Sequence, residues 1–421
     1  MDVTVSALGA VSALLIAIIL ILKKVPPAYG MVAGALIGGL IGGVDITNTV
    51  AFMMEGAKDI IPAVLRIMAA GVLAGVLIES GAALSIAETI IKKLGESRAL
   101  LALSIAVMIL TTVGVFIDVA VITVSPIALA IAKRAQLSKT AILLAMIGGG
   151  KAGNIMSPNP NAIAASDAFG VPLTSMMVAG IIPAIFGLAV TYFLAKRLVN
   201  KGSSVGNQDT EMADKKIPLF ITALIAPLVT IILLALRPLC NISIDPMVAL
   251  PAGGIIGAIA MKKTKNINEY AISGLSKMSG VAIMLLGTGT LAGIISNSAL
   301  KDVFISALNS SGLPAFLLAP VSGIFMSAAT ASTTAGTAVA SGVFSSTILG
   351  LGISALAGAA MIHAGSTVLD HLPHGSFFHA TAGSVNMDIK ERLKLMPYES
   401  IVGLTLAIIS TLIFGVFKLF G

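Results

Sequence analysis

Residues 148–166 read GGGKAGNIMSPNPNAIAAS, a run of glycines, prolines and amides inside an apolar stretch that starts near residue 140 and would otherwise cross a bilayer. Consecutive glycines cost about 1 kcal/mol each in a helix, and Pro158 and Pro160 remove amide donors and clash with the preceding turn. The stretch is therefore expected to unwind and to restart as a short helix near Asn161. Inside hydrocarbon, non-helical backbone is tolerated only where protein or a water-filled cavity satisfies its polar groups. The break thus predicts a ligand site at mid-membrane depth. Asn154, Ser157, Asn159 and Asn161 would offer it donors and acceptors without net charge, and the dipole of the restarted helix would face a carboxylate. The alternative, a turn outside the membrane, sits poorly with Lys151 and its neighbours in the middle of the stretch.

Working outward, the rest of the chain has a membrane protein's composition. Of 421 residues, 57% are apolar and 11% charged, with mean hydropathy +1.03; soluble domains run at about 45–50% and 25%. Soluble enzymes and nucleic-acid binders are excluded. Single apolar spans are expected at 4–22, 26–44, 60–80, 140–166, 175–195, 217–236, 246–261, 279–296, 352–386 and 401–419, without the alternation of barrel strands. Residues 99–132 and 313–349 are too long for one crossing, about 50 Å as a single helix, and too short for two. They are expected to be re-entrant helical hairpins. The start of the chain lacks the basic region of a cleavable leader, so residues 4–22 read as a retained first helix.

The formal charge is +7, and its placement matters more than its sum. With the N-terminus outside, Lys23–Lys24, Lys92–Lys93, Lys133–Arg134, Lys196–Arg197, Lys262–Lys263, Lys277 and Lys390 to Lys394, including Arg392, all fall on the cytoplasmic side. So does the long polar stretch 199–216, which reads as a linker between residues 1–198 and 217–421. These halves repeat: Met31-Val32-Ala33 aligns with Met247-Val248-Ala249, Leu73-Ala74-Gly75 with Leu291-Ala292-Gly293, and Lys151-Ala152-Gly153-Asn154 with His363-Ala364-Gly365-Ser366. Five crossings plus one hairpin per half is an odd number, so the second copy must be inverted. Inverted repeats with broken helices at the midplane mark a secondary transporter. The expected fold is an all-α polytopic bundle with a scaffold and a transport domain.

Ionisable residues inside a membrane are functional candidates by default. Asp118 follows the polar centre of the first hairpin, Thr111 to Gly114; it is a coupling candidate, or an interfacial carboxylate if that stretch is two spans. The middle of the second hairpin, Thr330, Ser332, Thr333 and Thr334, reads as the other wall of the site, although hydroxyls in membrane helices often bond only their own backbone. All four histidines lie in HAGSTVLDHLPHGSFFH, 363–379. With Asp370 they could bind zinc, but Pro373 and Gly375 break the helix that would hold the ligands. A proton relay or a carboxylate contact suits this segment better, the bland reading being hydrogen bonds that hold the broken helix together. Arg66, Glu79 and Glu88 read as interfacial or paired residues. The single Cys240 excludes an intrachain disulfide and a Cys-based metal site, and no cofactor motif occurs. The protein is expected not to be an enzyme and to need no cofactor or metal.

The segments SPNPNAIAAS at 157–166 and HAGSTVLDHLPHGSFFHATAGSV at 363–385 resemble the gluconate permease (GntP) family of bacterial inner-membrane symporters, and the similarity runs over nearly the whole chain. The resemblance implies proton-coupled uptake of a small anionic hydroxy acid such as gluconate or glycerate, with H⁺ as coupling ion. It further implies a homodimer in the lipid bilayer and a hairpin-bearing transport domain, residues 82–172 and 299–386, that moves as an elevator while the remaining helices form the scaffold. By matching position it carries Asn154, Ser157, Asn159 and Asn161 in the first broken helix, and His363, Ser366, Asp370, His371, His374 and Ser376 in the second. Asp118, Lys151, His363, Asp370 and His371 are the coupling candidates. The rival readings are a Na⁺-coupled carboxylate transporter of the same fold and an ion channel.

Overall fold

The computed structural model describes residues 4–95, 98–206, 217–240, 242–299, 314–373 and 375–419. Expected features at 207–216, at 300–313 and at His374 lie outside the described residues. Among those described the chain is helical, with one isolated bridge between Val5 and Ser298. Four helical stretches, Ile61–Glu79, Leu173–Arg197, Thr264–Ser296 and Ile389–Val416, are long and apolar enough to cross a membrane, and shorter apolar helices accompany them.

The helices sort by packing into two groups. α1 (Ala7–Leu22), α2 (Pro27–Ile41), α3 (Ile46–Asp59), α4 (Ile61–Glu79), α12 (Phe220–Cys240), α13 (Pro246–Ala260) and α14 (Ile267–Ser296) form the first, with α4 and α14 in its most extensive contact apart from the α1–α2 pair. That crossing is close because Gly71 and Gly75 of α4 lie against the backbone of Tyr270 and Gly274 on α14. In the second group, α6 (Ala99–Thr112), α7 (Ile117–Ala135), α9 (Pro160–Phe169) and α11 (Ile181–Arg197) surround or extend α8 (Lys139–Asn154). α5 (Ala82–Leu94) packs on α6 and α12, and α10 (Leu173–Ala179) precedes α11. The same order, helix–break–helix, broken helix, long helix, recurs in α15 (Leu318–Thr330), α16 (Thr333–Gly350), α17 (Ala355–Gly365), α18 (Ser376–Ser384) and α19 (Ile389–Thr411).

Three expectations are corrected. The glycines at 148–150 do not unwind the chain: α8 continues through them to Asn154, and every residue of α8 is buried. A Cβ at Gly149 would meet the Ser104 carbonyl of α6, and one at Gly153 the Met108 carbonyl, so the lost helix propensity is offset by close packing. The break falls at 155–159 instead, imposed by the prolines. Second, α14 and α19 begin about a dozen residues before the apolar runs that announced them, since INEYAISGLSKM and IKERLKLMPYES form amphipathic first turns. Third, α11 and α19 pack on α8 and α17, with the hairpins, and not with the expected scaffold. The start of the linker is also tied down, with Ser203 donating to Glu391 through its N–H (2.8 Å) and hydroxyl (2.7 Å).

Candidate functional site

Four helix breaks meet at one cavity. Its volume is about 390 Å³, and its wall includes the first turn of each restarted helix: Ile117 to Val119 of α7, Asn161 of α9, Thr333 and Thr334 of α16, and Ser376 and Phe377 of α18. First-turn N–H groups have no intrahelical partner and carry the positive end of the helix dipole. Two of these helices are capped from within, Asn159 Oδ1 accepting from Ala162 (3.0 Å) and Ser332 Oγ from Ala335 (3.2 Å); the N-terminus of α18 has no side-chain cap. The turn between α15 and α16 places Ala331 at the wall in the left-handed region, φ +47°, a conformation costing roughly 1–2 kcal/mol for an L-residue.

The amides of the first break divide their work. Asn159 Nδ2 donates to the carbonyl (2.7 Å) and Oδ1 (2.6 Å) of Asn154, pinning the end of α8 to the start of α9. Asn154 and Asn161 line the cavity, and both are buried; Nδ2 of the first and Oδ1 of the second have no hydrogen-bond partner. Buried polar groups are paired in the great majority of cases, so an orphan donor and an orphan acceptor on one cavity wall are notable. Ser157 is buried with an unpartnered hydroxyl but is not part of the wall.

Behind the wall lies a buried charged network. Lys151 Nζ pairs with Asp370 Oδ1 and donates to the Thr367 carbonyl (2.5 Å), and it lies 3.2 Å from His371 Nδ1. The other Asp370 oxygen accepts from the Thr333 hydroxyl (2.5 Å), joining the network to the cavity rim. His371 Nδ1 is 3.0 Å from Asp370 and 3.9 Å from Glu399, and its Nε2 sits 3.0 Å from the Met396 carbonyl and 3.1 Å from Ser400 Oγ. Glu399 is bonded to Arg392, whose guanidinium also contacts Thr381 and stacks 4.9 Å from the Phe378 ring. Both members of that pair are fully buried.

Sequence had placed Lys151, Asp370 and His371 in one function, and the fold brings them into contact across about 220 residues. Asp118, Ser332, Thr333, Thr334 and Ser376 reach the same cavity. Others lie elsewhere. Thr330 and Ser366 bond local carbonyls at 2.8 and 3.0 Å. His363 is buried in a separate small crevice with Ile155, Pro183 and Ser410, and His379 Nε2 contacts the Pro373 carbonyl (2.9 Å), so the described histidines do not form one cluster. Arg392, expected at the cytoplasmic edge, is instead buried against Glu399. Both were missed as site residues, although opposite charges seven apart share one helix face. Lys277 was read as a topology charge and lines the cavity. Arg66, Glu79 and Glu88 are paired as expected, with Asp167 and Asp245, Lys277, and Lys92.

The family described as GntP family permease matches residues 2–253. The chain belongs to the GntP permease family. It is a transporter and not an enzyme, a multi-pass helical membrane protein. Residues 222–311 of the permease also match the Na⁺-H⁺ antiporter family. An uncharacterized transporter of Haemophilus influenzae is 72% identical to it over 99% of both chains. The high-affinity gluconate transporter of Escherichia coli is 22% identical, covering 93% of the permease and 95% of that protein, and the gluconate permease of Pseudomonas aeruginosa is 23% identical, covering 93% and 94%. The crystal structure of the YdaH transporter of Alcanivorax borkumensis superposes with a TM-score of 0.66 at 15% identity over 87% of each chain, a likeness of fold.

Proposed function

We propose that the permease is a secondary active symporter that takes up a small hydroxy carboxylate, of the gluconate or glycerate kind, together with H⁺. The observation that carries this reading is the cavity itself: four helix N-termini facing one space of about 390 Å³, within the range of small-molecule sites. The positive dipole ends suit a carboxylate. The orphan Asn154 Nδ2 and Asn161 Oδ1 suit a hydroxyl, which accepts from the one and donates to the other. Gluconate also appears in the names of the E. coli and P. aeruginosa relatives.

Proton coupling is assigned to Asp370, His371 and Lys151, with Asp118 as a second carboxylate on the wall. Protonation within the buried set would change the acceptor available to Thr333, and Thr333 lies both on Asp370 and on the cavity. Transport is of the elevator type: the group carrying the breaks moves against α1–α4 and α12–α14, and the two halves act as inverted repeats, each with five crossings and one re-entrant hairpin. The protein works as a homodimer in the bacterial inner membrane, N-terminus outside.

The test is uptake of radiolabelled gluconate, glycerate and D-serine into proteoliposomes under a pH gradient (inside alkaline), a Na⁺ gradient, or neither. Accumulation of a hydroxy acid driven by pH and abolished in Asp370→Asn supports the proposal. Uptake driven by Na⁺ at fixed pH would transfer the coupling to sodium, and movement of none of the three acids would remove the substrate class.

A further inference from the structure

Lys277, with Val281, lines the cavity from outside the four helix breaks. It lies on α14, ten residues after its start, among the helices that pack around α4. Among the described residues three ionisable side chains line the wall: Asp118, Asp370 and Lys277. Asp370 is already neutralised by Lys151, which is fully buried behind it. Asp118 repels an anion. Lys277 is therefore the cationic side chain that an entering carboxylate meets.

Its present partner is replaceable. Lys277 Nζ donates to Glu79 Oε1 at 3.2 Å, with the two side chains 34% and 39% exposed, an arrangement in which an ion pair contributes little and is readily exchanged. The same Glu79 oxygen accepts from the Ser273 hydroxyl at 2.6 Å. Glu79 thus keeps a donor when Lys277 turns away, and an ammonium has three protons to offer. We infer that Lys277 takes the substrate's carboxylate, exchanging Glu79 for it, and so sets the preference of the site for an anion over an uncharged polyol. The inference rests on the hydroxy-acid reading of the cavity and adds a recognition residue from the opposite packing group. The carboxylate contact then exists only where the hairpin group stands at the level of Lys277, which makes it a contact of one transport state.

The experiment compares binding of D-gluconate with that of D-sorbitol, its uncharged counterpart, to purified protein by calorimetry at fixed ionic strength. The proteins are wild type, Lys277→Gln, Lys277→Arg and Glu79→Gln. A charge-assisted hydrogen bond corresponds to about ten- to hundredfold in affinity. Lys277→Gln should lose that much for gluconate with little change for sorbitol, and Lys277→Arg should restore most of it. Glu79→Gln, which leaves Lys277 in place without its competitor, should bind gluconate more tightly than wild type with sorbitol unchanged. If Lys277→Gln does not fold, the Glu79→Gln result stands by itself. Unchanged selectivity in a folded Lys277→Gln, or unchanged gluconate affinity in Glu79→Gln, overturns the role of Lys277 while the hydroxy-acid site survives. A wild type that binds no gluconate overturns the reading beneath it.

Discussion

Replacing Lys151 by Met tests whether the network behind the cavity is one electrostatic unit. Lys151 is fully buried and Asp370 3% exposed, so neither charge has water to fall back on. Without the ammonium, Asp370 keeps the Thr333 hydroxyl and His371 Nδ1 but no fixed cation. Removing one partner of a buried pair costs about 3–5 kcal/mol, a factor of roughly 10² to 10³·⁵ in the folded-to-unfolded ratio at about 1.4 kcal/mol per decade. Asp370→Asn strands the ammonium instead and should cost a similar amount. The double variant removes both charges together, so its cost should fall well below the sum, leaving a coupling energy of about 2 kcal/mol or more. The assay is reversible unfolding in mixed micelles, followed by helical circular dichroism, for the four proteins of the cycle. Transport separates stability from coupling: the double variant should regain most of its stability and none of its pH-driven uptake. Additive single losses would refute the reasoning, since the two charges would then be screened from each other, and so would double-variant uptake at wild-type rate.

Other consequences are open to measurement. Gly274→Val places a side chain against the Gly71 carbonyl at the α4–α14 crossing and should destabilise by about 1–3 kcal/mol or more, whereas Gly280→Ala, whose new Cβ would meet no neighbouring element, should be neutral or stabilising by about 0.5–1 kcal/mol; equal melting temperatures in detergent for the two would contradict the crossing. Glu399→Gln leaves the Arg392 guanidinium buried without its carboxylate and should cost about 3–5 kcal/mol in the same unfolding assay, with replacement of both by apolar residues recovering most of it. Arg66 joins Asp167 on α9 to Asp245 at the start of α13, bridging the two packing groups about 20 Å along α4 from Glu79. If those groups move apart during transport, Arg66→Ala should change the thiol-labelling rate of Thr333→Cys in a Cys240→Ala background at least twofold. An unchanged rate would make the triad a static brace.

The breaks were legible in the sequence because proline and clustered polar residues are costly inside an apolar stretch; α9 restarts at Pro160 and α16 at Thr333 for that reason. Helix starts were less legible. The first turns of α14 and α19 are amphipathic, and a hydropathy threshold stops where the apolar run stops. The glycines at 148–150 could be read two ways, as breakers or as sites of close approach, and only their neighbours, the Thr191 side chain of α11, the Ser104 backbone of α6 and the Ile117 side chain of α7, select the second. Partner identity was hidden as well. Lys151 and Asp370 are separated by 219 residues, and residue type alone says that a buried lysine needs a carboxylate without saying which one. Arg392 went astray for a related reason: counting basic residues by side assumes that each faces water, and Glu399 removes that need.

The buried network also bears on where anion preference can arise. Lys151 and Arg392 supply two positive charges and Asp370 and Glu399 two negative ones, so these four groups sum to zero. A set that is neutral overall and sealed from the cavity, except through Asp370 and Thr333, exerts little field on a ligand beyond those contacts. Among the described residues, the charge-selective forces at the wall are then the four helix N-termini and Lys277 on one side of the balance and Asp118 on the other. One proton added to the network breaks its neutrality and turns a silent cluster into a positive one behind Thr333, within reach of a bound carboxylate. Under the proposed proton coupling, the proton and the anion would favour each other's binding by the same factor, since binding linkage is reciprocal.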